Sequence, residues 1–300
     1  MNRIRVLLLA GGLFFIALVM AWFEPGRRLV GWMQGEPFYQ GRPSSWWVRQ
    51  LTGSDPPGLA AAQWTLRDDI RSIPLLVHVL SNDTVSCEAR WNAADLLGQF
   101  GPKALEAVPH LEAWLEKDDP YDQGVAIRVL GEIGANDDTV CDRLTQQLDG
   151  SHRLAVLQSL GNGQGGSLFV VRELVSMVGF SNEPAEVALA LVALNKRAKR
   201  IQELSPAIIA RLNDRDSAVR QQAVELVGRV ASPNPVLVEA IRLRLNDAHE
   251  AVRSEAIRTL GWFGPASRPA LAELKVFANH SNPAIRKRAA QAIERIGSNP

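Results

Sequence analysis

One helix, written three times at a fixed interval, constrains this chain more than any other feature. The stretches SAVRQQAVELVGRVA (217–231), EAVRSEAIRTLGWFG (250–264) and PAIRKRAAQAIERIG (283–297) start at intervals of 33 residues. Indexed on the glycine of an L-G-x-[IFV] turn, or on the residue in its place, the repeat falls at Gly98, Gly131, Gly161, Asn195, Gly228, Gly261 and Glu294. The gaps are 33, 30, 34, 33, 33 and 33. Ahead of the index, apolar or small residues recur in steps of four, four and three. They are Val252, Ala256, Leu260 and Phe263 in one copy, and Val219, Ala223, Val227 and Val230 in the copy before it. Those steps keep them on one face of a helix. Further helices lie between, often opened by a proline (Pro74, Pro109, Pro206, Pro269), which costs nothing in a first turn. A helix pair of this kind cannot bury its apolar stripe alone, whereas stacked pairs share one continuous core. The period therefore predicts an all-α fold, a right-handed α-solenoid (α-α superhelix) of about seven to eight helix pairs over 44–300.

The pattern V-R-x-x-A-x-x-x-L-G, carried by Val252, Arg253, Ala256, Leu260 and Gly261, resembles the HEAT repeat in its short bacterial, PBS-lyase-type form. The resemblance runs from about Pro57 to Gly297. It implies that the V-R helices line an inner, concave surface. It also implies a structural ladder in which an Asp opening the turn meets the Arg of a V-R pair. Asp214 with Arg220 and Asp247 with Arg253 have that spacing. Thr84 and His280 stand where Asp is expected beside Arg90 and Arg286.

The N-terminus is a different material. After MNRIR, residues 6–23 (VLLLAGGLFFIALVMAWF) carry no charge and nearly suffice to cross a hydrocarbon layer as a helix, with Trp22 and Phe23 suited to its interface. Residues 1–23 read as a signal-anchor, an N-terminal transmembrane helix; the alternative is a signal peptide cut after Ala21. Arg3 and Arg5 favour a cytoplasmic N-terminus. That places a single-pass bacterial membrane protein with its C-terminal solenoid outside the cytoplasm, or a secreted or periplasmic product after cleavage. Residues 24–43 read as a linker. Within EPFYQGRPSSWWVRQL (36–51), which resembles the lead-in of membrane-anchored bacterial HEAT-repeat proteins, the second half reads as a helix capping the solenoid's open end.

Catalytic and metal chemistry find no constellation in the sequence. GNGQGG (161–166) follows a helix, whereas a phosphate-binding loop follows a strand, so it reads as a flexible turn. His78, His110, His152, His249 and His280 form no HxxxH or HxH pair, and Cys87 and Cys141 are too few for a disulfide framework or a thiolate metal site. The formal charge is +1, falling to −1 without Arg3 and Arg5, which gives the repeat region no general attraction for nucleic acid. Lys196, Arg197, Lys199 and Arg200 form the one dense basic cluster, read as a last helical turn whose cations complement the dipole. No cofactor, metal or nucleic acid is expected.

What remains is a non-catalytic protein–protein interaction scaffold, membrane-tethered through residues 6–23 or exported. The alternative is a HEAT-like enzyme of lyase type or a nucleic-acid-acting HEAT protein. Positions −7, −6, −3 and +1 from each index residue point away from the core by helical periodicity. In the last three copies they are mostly polar: Gln221, Gln222, Glu225 and Arg229, then Ser254, Glu255 and Arg258, then Lys287, Arg288, Gln291 and Arg295. Earlier copies are more apolar. The candidate protein-binding residues are Trp91, Asp95, Val125, Arg128, Leu154, Gln158, Leu189, Val192, Glu225 and Arg258, with Trp91 as an exposed anchor.

Overall fold

The computed structural model describes residues 28–201, 204–230 and 232–298. The apolar run 6–23 lies outside the described residues. Among those residues, no helix is long and apolar enough to cross a membrane.

The chain divides into two compact units, up to Gly134 and from Ala135 onward. In the first, helix α1 (Arg28–Met33) and a two-stranded antiparallel hairpin, β1 (Phe38–Tyr39) and β2 (Arg42–Pro43), occupy most of the stretch expected as a linker. They lead into α2 (Ser44–Leu51) and α3 (Pro56–Arg67), followed by the pairs α4 (Ile73–Ser81) with α5 (Cys87–Phe100) and α6 (Val108–Leu115) with α7 (Pro120–Ile133). The second unit holds the pairs α8 (Asp138–Thr145) with α9 (Arg153–Leu160), α10 (Leu168–Phe180) with α11 (Pro184–Lys196), and α12 (Pro206–Ala210) with α13 (Ser217–Val230). The pairs α14 (Pro235–Leu243) with α15 (Glu250–Phe263) and α16 (Leu271–Phe277) with α17 (Pro283–Gly297) complete it. This is a mostly helical, solenoid-like repeat fold, and every index residue sits in or just after the second helix of its pair.

The segment 36–51 is tied down at both ends. The Glu36 carboxylate accepts from the Ser45 backbone N–H (2.8 Å) and the Ser44 hydroxyl (3.1 Å) at the start of α2, where a negative charge also opposes the helix dipole. Trp47 is buried, and its Nε1 donates to the Tyr39 carbonyl at 3.2 Å; the Tyr39 hydroxyl donates to Asp69 at 2.8 Å. Leu51 is buried, and its carbonyl accepts from Asn92 Nδ2 at 2.9 Å, joining α2 to α5.

Within the second unit the second helices pack in succession: α9 on α11, α11 on α13, α13 on α15 and α15 on α17. The index glycine explains the close approach. A Cβ at Gly261 would come within 3.0 Å of both Cα and Cβ of Ala292 on α17, and one at Gly228 would meet Thr259 Oγ1 at 2.8 Å. Where Asn195 replaces glycine it is buried, and its amide donates to the carbonyl and side chain of Gln222 at 3.1 and 3.2 Å. Glu294 is exposed on α17, and among the described residues no further helix crosses it. The branched residues ahead of each arginine and the alanines behind them (Val219, Ala223, Val252, Ala256, Ile285, Ala289) form the buried stripe that the periodicity predicts.

The loop 161–166 is a turn between helices but a closely packed one. A Cβ on Gly163 would overlap the Ala135 carbonyl (1.9 Å), and one on Gly165 would meet the backbone of Asn136 and Asp137. The basic cluster holds this loop. Arg197 is 1% exposed and donates to the carbonyls of Gly165 (2.6 Å), Leu160 (2.6 Å) and Ala193 (3.0 Å). Arg200 reaches Asp138 at 2.9 Å. Two of the four cations are thus committed to internal contacts, and desolvation pulls the Arg197 pKa below its ordinary value. Both cysteines are free thiols; Cys87 is exposed at the start of α5, and Cys141 is buried beside Arg197.

Candidate interaction surface

Among the described ladder arginines two meet a carboxylate: Arg90 takes Asp83 in its own turn at 2.8 Å, and Arg220 makes a rung that joins neighbouring repeats. Arg220 donates to both carboxylate oxygens of Asp247 (2.7 and 2.8 Å), and to the carbonyls of Asp214 and Arg215 (2.8 and 3.0 Å). Asp214 carries no bond to the Arg220 side chain through its carboxylate; it takes Arg211 at 2.9 Å instead. One edge of each V-R guanidinium is used on its own turn's carbonyls, so the other edge faces the next repeat. Arg253 and Arg286 make the same carbonyl contacts, to Asp247 and Ala248 and to His280 and Ser281, but the residue one repeat beyond Arg253's turn is His280, which offers no carboxylate. Arg220 holds the Asp247 carboxyl below its ordinary range despite burial.

The candidate surface residues separate by unit. In the first unit Trp91 is half-buried rather than a free anchor. Its Nε1 donates to Asp122 at 2.7 Å, and its ring lies 4.1 Å from that of Tyr121 on α7. Asp122 is buried and also takes Lys117 at 3.1 Å. Burial opposes its ionisation, yet the bonds from Trp91 and Lys117 hold its carboxyl below the usual range. Val125 is buried, a correction to its outward assignment: α7 turns that side toward its neighbours. Asp95 on α5 pairs with Arg128 on α7, and Arg128 also approaches Glu132 at 3.5 Å.

In the second unit Leu154 and Gln158 are exposed on α9, while Leu189 and Val192 are half-buried on α11. Further along, α13, α15 and α17 build a charged groove. Glu255, expected to face outward, is 4% exposed because α13 and α17 flank α15 on both sides, and Ser254 is buried for the same reason. Burial pushes the Glu255 carboxyl up even though Arg258 donates to it at 3.0 Å. Arg258 also approaches Glu225 at 3.4 Å, and Glu225 accepts from Arg229 at 2.7 Å. Arg288 donates to the Ser254 hydroxyl.

Beside this network a cavity of about 160 Å3 opens between α15 and α17, lined by Arg258, Gly261, Trp262, Arg288, Gln291, Ala292 and Arg295. Trp262 is the residue that the sequence reading passed over. It occupies the +1 position of α15, is 39% exposed, and carries the Arg258 guanidinium 4.7 Å from its ring centroid. The +1 periodicity was the available signal. Among the described residues, no group of three or more His, Cys, Asp or Glu side chains is placed to hold a metal ion.

Two solved structures share the fold. An engineered protein superposes with a TM-score of 0.55 at 19% identity, over 86% of this chain and 79% of its own. Kap121p bound to Nup53p superposes with a TM-score of 0.58 at 15% identity, over 85% of this chain but 33% of Kap121p, so the chain spans about a third of that protein. No curated protein matches the sequence. The family described as HEAT repeats matches residues 73–161, 205–274 and 238–300, more than half of the chain, and the protein belongs to the HEAT-repeat family.

Proposed function

We propose that the protein is a non-catalytic interaction scaffold whose row of second helices receives a protein partner. One observation carries this reading. On α13, α15 and α17 most outward side chains are polar and partly exposed, with Ser254 and Glu255 buried and Trp262 aromatic, and they are arranged around an open groove. A surface of this kind suits recognition by charge and shape more than a reaction. The similar Kap121p structure is that of a solenoid with a protein bound, which supports the reading by analogy of fold alone. Capture experiments with the full-length chain test it. Gln221→Arg, on the face of α13, is expected to remove the partner, whereas Val276→Arg, on an exposed position of α16, leaves capture intact. Equal capture by both variants would place the binding surface elsewhere.

We further propose that residues 6–23 tether the scaffold to a membrane, with the repeats outside the cytoplasm. Beyond the apolar run, Leu29, Trp32 and Met33 stand exposed at i, i+3 and i+4 on α1, an apolar face of the kind that interfacial segments present. Retention on membranes through alkaline carbonate washing is the expected result. A soluble product beginning at Trp22 would show cleavage instead.

A further inference from the structure

We propose that the cavity between α15 and α17 binds a side-chain carboxylate from an acidic segment of the partner polypeptide. The inference rests on the scaffold reading and names the chemistry of the partner. Four guanidiniums (Arg229, Arg258, Arg288, Arg295) surround two carboxylates, Glu225 and Glu255, so the local balance is positive. Arg229 and Arg258 are already engaged by those two acids. Arg288 bonds to a neutral hydroxyl, and among the described residues no carboxylate lies within ion-pairing distance of it or of Arg295. Both are exposed and open to the cavity. Guanidinium forks match a planar carboxylate, bonding through two parallel N–H groups.

Trp262 supplies the apolar wall against which the stem of a Glu or Asp side chain can lie. Its ring is fixed over Gly228, where a Cβ would approach Trp262 at 3.0 Å, and the Arg258 guanidinium stacks on it. The neighbouring stretch of the groove is lined by Glu225, Glu250 and Glu255 together with Arg258 and Arg288, and Glu250 accepts from Asn282 rather than from a cation. A continuous row of phosphates would meet repulsion from Glu250 there, so an isolated carboxylate on a polypeptide fits better than a nucleic-acid backbone.

Titration calorimetry on the full-length chain tests the site with three probes: a Glu-Gly repeat peptide, its Gln-Gly counterpart, and a short DNA duplex. The Glu-Gly peptide is expected to bind with an affinity that falls as salt rises, and to lose roughly tenfold in the Arg288→Ser/Arg295→Ser variant. Gln291→Glu, which sets a carboxylate of the chain's own at the cavity, is expected to weaken binding similarly and guards against a folding artefact. The Gln-Gly peptide should give no heat beyond dilution. Equal binding of the Glu-Gly peptide by wild type and both variants overturns the proposal, as does tighter binding of the duplex than of the peptide. If partner capture persists in Arg288→Ser/Arg295→Ser, this cavity is not the contact, while the scaffold reading stands.

Discussion

Trp91 and Trp262 both sit at outward positions of a second helix, and the two units use them in opposite ways. In the N-terminal unit the face itself carries cohesion. Trp91 is bonded to a buried Asp122, which also holds Lys117, and Asp95 pairs with Arg128 across the same two helices. In the C-terminal unit a buried set of contacts lies behind the face, in Arg197 under the glycine-rich loop and in the Arg220–Asp247 rung, beside the partly exposed bonds of Arg258 to Glu225 and Arg288 to Ser254. Trp262 is therefore free to wall a cavity lined by arginines. Holding repeats together and presenting them to a partner are separate tasks, and the second unit gives much of the first to residues away from the face.

That contrast can be broken by mutation, in decreasing order of effect. Arg197→Leu leaves three buried carbonyls without their donor, and at about 1–3 kcal/mol for each unpaired group the loss should reach about 4 kcal/mol in denaturant unfolding. A loss below about 1 kcal/mol would mean that the loop is not held there. Asp247→Asn strips the counter-ion from the buried Arg220 and should cost about 3 kcal/mol. It also tests pH dependence. Because the folded pKa of Asp247 lies below the unfolded value, its contribution is fully present above about pH 4 and fades as pH falls through the folded pKa. The variant should show a shallower acid limb than the wild type.

Trp91→Ala comes next. It removes a half-buried ring and leaves Asp122 with Lys117 as its one remaining side-chain donor, for an expected loss of about 2 kcal/mol. The telling point is that peptide binding at the arginine cavity should not change. The smallest effect belongs to Arg288→Ser/Arg295→Ser. Both side chains are exposed, and the Ser254 hydroxyl loses its bond from Arg288, so stability should shift by about 1 kcal/mol or less. A large drop in melting temperature would show that the C-terminal face also carries cohesion, and the contrast between the units would fail.

The helices and their repeat were legible because burial of one stripe imposes a period, and Val219, Ala223, Val252 and Ala256 sit where the period put them. The index glycine was legible as a mark but not as a mechanism, since its meaning is the approach of Ala292 to Gly261 from the second helix of the next pair. Periodicity within one helix fails wherever a neighbour decides. Val125 and Glu255 point outward by their own helix's geometry and are buried by the helices beside them. The ladder takes another form than the spacing implied, because Arg220 meets Asp214 through the backbone carbonyl and finds its carboxylate one repeat on. In the basic cluster, sequence shows four adjacent cations but not that Arg197 folds inward beneath a loop more than 30 residues earlier.

The most direct test of the central claim is site-specific photo-crosslinking from full-length protein in its native extract, with the probe at Gln291 on α17 or at Val276 on α16. The account predicts one discrete polypeptide adduct from position 291, lost in Arg288→Ser/Arg295→Ser, and none from position 276. An adduct formed from 276 and not from 291 would contradict it, because the partner would then sit on the first helices and the second-helix face would be ordinary solvated surface.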